Sequence, residues 1–495
     1  MMKLRVAGGV ALLATLAAAQ TEPTIEQLSN RLAPNDLKAD VSFLASDLLQ
    51  GRGTPSSGLD IAAEYIAAQF RRAGLEPAGD DGYFQTALCE KIIPITEGTE
   101  FTLETAHGTV RAQPKSMGQV RLGAIDLSHS PILKVLVPDI AALKALRSED
   151  VQGRVLVMDR SVSKSVIGTA GYELAASLRP ALVVVLNTRF NMAAMNKEEL
   201  TCNTSSSTSG VPILAVWDSS ILSAFDAGNP GSKDVSLTVH IPGPKVMPGK
   251  ARNVLGVLRG SDPALRNTYA LVTAHYDHLG VRMTEQGDSI YNGANDDASG
   301  AASVIEIANA LAAQSPRPKR SIVFMTFFGE ELGLVGSRYY TAHPMLPLAQ
   351  TLADFNLENL GRTDADGGSR GMVDVTGYDF STLTDVIGKA GEATGLRVVK
   401  DEKLNTPFYE RSDNQSLADA GVVAHTLSIG FEFPDYHKPG DEWQRLDYDN
   451  MAKVARTVAL AVWRVANSTE TPEWKGDVPD TERYIKARQI GLGKK

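Results

Sequence analysis

Cysteine is nearly absent from this chain: Cys89 and Cys202 are the only two in 495 residues. Neither has a CxxC partner, which excludes thiolate zinc sites. Two distant cysteines fit a disulfide in an oxidising compartment and fit two buried thiols equally well, so the sequence leaves their pairing open. Basic clusters are missing too. The formal charge is -9, and no run of Lys and Arg is dense enough to track phosphates, which argues against nucleic acid as a partner. A membrane span is not expected either, because the apolar run from Val6 to Leu16 is too short to cross a bilayer as a helix.

That short run has the layout of an export signal. Lys3 and Arg5 precede it, and Ala17-Ala18-Ala19 supplies the small residues a signal peptidase accepts before Gln20. Residues 1–19 are therefore expected to be a signal peptide, with the mature protein exported, either periplasmic or secreted. The competing reading is an uncleaved N-terminal anchor. No Cys follows the cleavage point, which argues against a lipoprotein.

The composition, 43% hydrophobic and 22% charged, is that of an ordinary soluble protein, and the length suits two or three domains. Residues 20–100 carry two amphipathic stretches, Leu37 to Leu49 and Leu59 to Ala73, around the loop Gln50-Gly51-Arg52-Gly53-Thr54-Pro55. Residues 101–245 change character. Short β-rich runs (Ile132–Val137, Arg154–Met158, Ala181–Leu186, Val211–Val216, Val235–Ile241) alternate with helical stretches and with Ser-rich loops around Ser205–Ser209 and Ser219–Ser220. This segment reads as a separate α/β module, and it holds no histidine–carboxylate constellation.

From residue 250 to 470 the pattern is strand–helix–strand. Strands are expected at Asn253–Leu258, Ala270–Ala274, Ser321–Phe327, Asp354–Leu357, Val373–Thr376 and Val422–Ser428. Helices are expected at Ala298–Gln314, Leu332–Thr341, Phe380–Thr394, Ser412–Ala420 and Tyr448–Ala466, and residues 471–495 form a C-terminal tail. Strands as apolar as Ile322-Val323-Phe324-Met325 do not alternate, as in a parallel sheet buried on both faces. The expected fold class is therefore α/β, an open, mostly parallel sheet flanked by helices. Ligands of such sheets collect beyond the carboxyl ends of the strands.

The polar residues fall there. The chain has eight histidines. One of them, His275, ends a strand and can offer a ring nitrogen to a metal, with Asp277 close enough to orient it. Asn292-Gly293-Ala294-Asn295-Asp296-Asp297-Ala298-Ser299-Gly300 is a loop entering a helix; Asp297 suits an N-cap, while Gly293 and Gly300 suit close packing. Glu330 and Glu331 follow a wholly apolar strand and would repel each other unless a cation faces them. Glu358 ends another strand, and His437 lies in a loop before the final helix. Any one of these could fill an ordinary structural role. Together, in this order and at the ends of one sheet, they point to a metal centre.

The stretches His275-Tyr276-Asp277, Gly293 to Gly300, Gly329-Glu330-Glu331-Leu332-Gly333, Asn356-Leu357-Glu358 and Tyr436-His437 resemble those of the co-catalytic zinc exopeptidases. This is metallopeptidase family twenty-eight, which includes bacterial leucyl aminopeptidases, aminopeptidase Y and glutamate carboxypeptidase. The resemblance covers about residues 34–97 and 250–468, and residues 101–242 resemble the protease-associated domain inserted in several members. It implies a zinc exopeptidase fold, peptide substrates and two Zn2+ per chain. One zinc would be bound by His275 and Glu358, the other by Glu331 and His437, with Asp296 bridging. Asp277 would steady His275, Glu330 would be the general base, and the hydroxyl of Tyr409 would stabilise the oxyanion. The family more often has Asp where this chain has Glu358. The expected activity is that of an aminopeptidase. Competing readings are a carboxypeptidase of the glutamate carboxypeptidase type, a one-zinc glutaminyl cyclase and a receptor-like binding protein without metals.

Overall fold

The computed structural model describes residues 22–95, 97–113, 116–121, 124–136, 143–159, 174–186, 198–202, 211–227, 235–282, 287–363, 369–401, 405–431 and 433–493. The expected signal peptide and the Ser205–Ser209 loop lie outside these residues. Two compact units are present: one comprises residues up to Gln85, Asn253–Phe328 and from Tyr340 onward, the other Thr86–Arg252 with Gly329–Tyr339.

The first unit is an α/β sheet flanked by helices. Its strands are β1 (Lys245–Leu258, from Asn253 in this unit), β2 (Tyr269–His275), β3 (Ser321–Phe327), β4 (Thr351–Leu357), β5 (Met372–Val375), β6 (Arg397–Val399) and β7 (Val423–Ser428). They lie in the order β6-β5-β7-β4-β2-β3-β1. β2 pairs parallel with both β3 and β4, and β4 parallel with β7; β1 and β5 are antiparallel to their neighbours β3 and β7. Every residue of β2, β3, β4 and β7 is buried, which is why their sequences are continuous rather than alternating.

The longer helices of the unit are α1 (Pro34–Leu44), α2 (Ser57–Arg72), α3 (Ser299–Ala312), α4 (Leu383–Thr394), α5 (Tyr448–Asn467) and α6 (Glu482–Gly491); Ile25–Arg31, Asn405–Tyr409 and Asn414–Asp419 are shorter ones. α1 starts with Pro at its first turn, where a missing N–H costs nothing. α2 and α5 are capped by Ser56 and Asp447, whose side chains accept from Leu59 and Asn450 N. The expected elements recur with ends shifted by a few residues. The sequence pattern does not predict β6 or α6, and the segment expected as a tail is packed: Trp474 stacks on the buried Tyr484 with ring centroids 4.9 Å apart. Among the described residues no helix is long and apolar enough to cross a membrane.

The second unit begins at Thr86, ahead of the expected boundary at 101. Its sheet runs in the order Gly108–Arg111, Glu100–Thr105, Ser236–Ile241, Ile125–Leu136, Val155–Asp159, Leu182–Leu186, Ile213–Val216, Met117–Arg121. Leu182–Leu186 and Ile213–Val216 are wholly buried and pair parallel. Ser219 begins the helix Ser219–Ala227. Strand Phe84–Ile93 pairs antiparallel with Glu199–Cys202, in a register that sets Cys89 opposite Cys202. The two cysteines are joined as a disulfide. His129 lies 2.6 Å from Glu104 and His240 3.7 Å from Asp126, both exposed pairs; no third ligand joins either among the described residues.

Candidate metal centre

His275 is the last residue of β2, and Glu358 follows the last residue of β4. Because β2 and β4 pair in parallel, with Thr273 opposite Asn356, these two side chains emerge at the same end of the sheet. Buried polar contacts fix that register. Thr273 Oγ1 sits 2.9 Å from Asp354 Oδ1 and 3.0 Å from Asn356 Oδ1, and Asn356 Nδ2 donates to Ser412 Oγ (2.7 Å) and Thr426 Oγ1 (2.9 Å). Unmade hydrogen bonds would be expensive at such depth, so the strands cannot slip without cost.

Asp296 arrives from the loop after β2. A Cβ on Gly293, whose φ is +58°, would run into Asp296 O and the His278 ring; one on Gly300 would run into the Asp297 carboxylate and Leu357 O. The two glycines thus allow the loop and the start of α3 to press against β4, as their positions in the sequence suggest. Asp297 Oδ1 accepts from Gly300 N (2.9 Å) and Asn359 N (3.2 Å), capping α3 and tying it to the Glu358 turn. The peptide between Asp296 and Asp297 is cis.

At the centre, Asp296 Oδ1 lies 3.2 Å from His275 Nε2, and Asp296 Oδ2 lies 3.2 Å from His437 Nε2. One ligand atom from each of His275, Asp296 and Glu358 lies within 4.8 Å of the others. This is the trio expected to hold one zinc, and the longer Glu358 reaches it. His275 Nδ1 faces Asp277, 3.2 Å from its main-chain oxygen and 3.5 Å from its carboxylate. Of these two Asp277 atoms, the main-chain oxygen is the nearer to the His275 ring. His437 has a left-handed φ of +54°, which costs about 1–2 kcal/mol for a residue with a Cβ. Its ring stacks on Tyr436 at 4.0 Å and meets the edge of His278 at 5.6 Å.

The charges are arranged for a cation. Burial disfavours the Asp296 carboxylate, but contacts with His275 and His437 and the nearby His278 outweigh it and hold its carboxyl far below the usual range. Burial pushes Glu358 up to about 7, with His275 opposing and Asp296 reinforcing the rise, and raises Asp297 well above its ordinary value. Glu358 Oε2 is buried with no hydrogen-bond partner among the described residues. A buried, partnerless carboxylate oxygen on a residue grouped with the His275 imidazole and the Asp296 carboxylate belongs to a donor set zinc takes, and a dication would relieve the repulsion between Glu358 and Asp296. The residues present fit the metal.

Glu330 and Glu331 start a tight turn, Glu330–Leu332, in the segment grouped with the second unit. It is bracketed by Gly329 (φ +67°) and Gly333 (φ +103°) and closed by hydrogen bonds from Gly333 N and Leu334 N to Glu330 O. Tyr409 departs from expectation. Its ring is buried against Phe380, and its hydroxyl donates to Ala424 O at 2.9 Å inside the core, so no oxyanion role follows from this placement. The main-chain oxygen of Ala424, on β7, holds the hydroxyl that the family resemblance assigns to the site.

Three residues near the centre escape the sequence reading. His278 Nδ1 is 3.9 Å from Asp296 Oδ2. Asp441 accepts from Asn295 N (3.0 and 3.1 Å) and Asp296 N (3.1 Å), fixing the Asp296 backbone, and burial raises its carboxyl to about 6. Arg52 is fully buried and donates to carbonyls of the same loops. The only signals in the sequence are Gly440 just before Asp441 and the two glycines around Arg52.

The sequence model of peptidase family M28 matches residues 253–462. A probable zinc metalloprotease of Pyrenophora tritici-repentis is 32% identical over 319 residues, covering 54% of this chain and 63% of that protein. The aminopeptidase YwaD of Bacillus subtilis is 24% identical over 229 residues, covering 45% of this chain and 46% of that protein. The chain thus spans only part of the length of these curated relatives. Among solved structures, the aminopeptidase from Aneurinibacillus sp. strain AM-1 superposes with a TM-score of 0.61 at 19% identity, over 90% of this chain and 97% of its own. BSAP, a zinc aminopeptidase from Bacillus subtilis, does so at 0.51 and 18%, over 89% and 97%. At these identities the likeness is one of fold. The matched sequence model makes residues 253–462 a peptidase family M28 domain, which fits the co-catalytic zinc exopeptidases.

Proposed function

We propose that this protein is a zinc-dependent aminopeptidase with two zinc ions per chain, removing residues from the free amino end of peptides. The observation that carries the reading is Asp296, which offers its two carboxylate oxygens to two different histidines while Glu358 stands beside His275. His275, Asp296 and Glu358 would hold one zinc; Asp296, His437 and Glu331 would hold the other. When bound, zinc supplies the positive charge that acidifies a water and polarises an amide carbonyl. Glu330 takes the proton from the attacking water and delivers it to the leaving amine. Asp277 keeps the His275 ring turned so that Nε2 faces the centre.

Direction follows from charge. The centre is lined by carboxylates, which suit a protonated or metal-held amine. Seizing a substrate carboxylate would need a guanidinium, and the two candidates by sequence are Arg362 and Arg411. Arg362 is engaged by Asp435 at 2.9 Å, and the Arg411 guanidinium lies 4.3 Å over the Phe408 ring. Both favour an aminopeptidase over a carboxypeptidase.

Residues 86–252 would serve as the inserted, protease-associated domain, binding or covering substrate without chemistry of its own. Export is the setting proposed for the enzyme, and the Cys89–Cys202 disulfide supports it, since such bonds persist in oxidising compartments. The test is hydrolysis of an unblocked peptide by protein stripped with a strong chelator. Activity should vanish and return with added zinc; full activity in the stripped protein would refute the reading.

A further inference from the structure

The side chain of Arg52 has no solvent exposure, and every one of its nitrogens is used. Nε donates to Tyr276 O at 2.7 Å, Nη1 to Asn292 O at 2.7 Å and to Leu44 O, and Nη2 to Gly293 O at 2.9 Å. All four acceptors are main-chain carbonyls. Tyr276 follows the ligand His275, and Asn292 and Gly293 open the loop that delivers Asp296. One planar guanidinium therefore spans the two loops whose side chains meet at 3.2 Å.

The surroundings make an ion pair the ordinary expectation for such a residue. Asp277, Asp296, Asp297 and Asp441 are the charges that act on Arg52, yet among the described residues its hydrogen bonds go to carbonyls and none to a carboxylate. The acids are left to the site, while the cation sits among them and lessens their mutual repulsion. The backbone that brings Arg52 in is unusual as well. Gln50, Gly51 and Arg52 are consecutive left-handed residues, with φ of 49°, 64° and 48°. A Cβ on Gly51 would collide with Tyr291 O and Gly280 O. Residues with a Cβ persist in that region only where the surrounding structure over-determines them, and such places cluster at functional sites.

We propose that Arg52 is a positioning residue that assembles the His275 and Asp296 loops before any metal arrives, so that zinc enters a formed site. This rests on the reading of His275 and Asp296 as zinc ligands. Lysine keeps the charge but gathers its donors on one nitrogen, so it cannot reproduce the fork that reaches Tyr276 O from Nε and the Asn292 and Gly293 carbonyls from Nη1 and Nη2.

The experiment titrates the full-length parent, Arg52→Lys and Arg52→Gln with zinc against a competing chromophoric chelator, with near-UV circular dichroism of the metal-free proteins as the check on folding. Both variants should retain the metal-free spectrum and bind zinc about 10- to 100-fold more weakly, as outer partners of metal ligands do. A folded Arg52→Lys with zinc affinity within about twofold of the parent, well short of that loss, would overturn the assignment. Should neither variant fold, amide hydrogen exchange of the parent decides. Residues 276–282 and 287–298 should be as protected without metal as with it, and rapid exchange there that slows only on adding zinc would overturn preassembly. A parent that binds no zinc overturns the zinc reading and this inference together; a parent that binds zinc while Arg52→Lys matches it overturns this inference alone.

Discussion

Asp296 and His275 face each other through Oδ1 and Nε2 at 3.2 Å, and the second oxygen of the same carboxylate stands equally far from His437. On the proposed reading, a carboxylate shared in this way would serve both zinc sites. Asp296→Asn keeps the shape and removes the charge, so zinc affinity should fall at both sites. Glu358→Gln should weaken only one, because Glu358 reaches the His275 side. Competition titration with a chelator separates the cases; equal losses from the two variants would contradict the bridging role.

Glu330 and Glu331 share one turn but should not share a function. Glu330→Gln should abolish turnover and leave zinc content nearly unchanged, since the base acts on water. Glu331→Gln should lose metal. Elemental analysis beside a rate measurement decides, and the opposite pattern would exchange the two roles.

Cys89 and Cys202 close a loop with a sequence separation of 113 residues. Cross-links over loops of that size restrict the unfolded chain, and their removal costs about 2–5 kcal/mol. Cys89→Ser should lower the melting temperature of the second unit while zinc content stays at the parental value. An unchanged melting curve would show that strand pairing alone holds this region.

His425 is buried between Thr376 O (2.7 Å from Nδ1) and Ser381 Oγ (2.6 Å from Nε2). Burial drives its imidazole down to about 4 from an ordinary 6.5, although the Thr376 hydrogen bond opposes the change. The unfolded chain therefore takes up a proton between those values that the folded chain refuses. The stability contribution is fully present above about pH 6.5 and is lost as pH falls toward about 4, roughly 3 kcal/mol in all. In chelator, so that metal loss plays no part, the parent should lose more stability on acidification than His425→Gln does. Equal losses would mean that His425 is not the group responsible.

What is legible in the sequence is the part governed by local pattern. β3 is expected at Ser321–Phe327 and occurs there, because a strand buried on both faces is an uninterrupted apolar run. His275, Asp296, Glu358 and His437 stand out because a metal accounts for several acids and imidazoles gathered at the ends of apolar strands, where burial would otherwise be costly. Arg52 cannot be found that way. Its carbonyl partners at Tyr276 and Gly293 are 224 and 241 residues distant, and a hydrogen bond to a main chain leaves no trace in residue type. Pairing of the cysteines depends on a strand register no local pattern reveals. Tyr409 escapes for a related reason: its place in the sequence does not say which way its hydroxyl points, and Ala424 O receives it.

The most direct test of the aminopeptidase reading uses two otherwise identical peptides, one acetylated at its amino end and the other amidated at its carboxyl end, each with and without chelator. Zinc-dependent release of the first residue is predicted from the amidated peptide and none from the acetylated one. Cleavage of the acetylated peptide from its carboxyl end, with the amidated one untouched, would make this a carboxypeptidase and contradict the reading of the site.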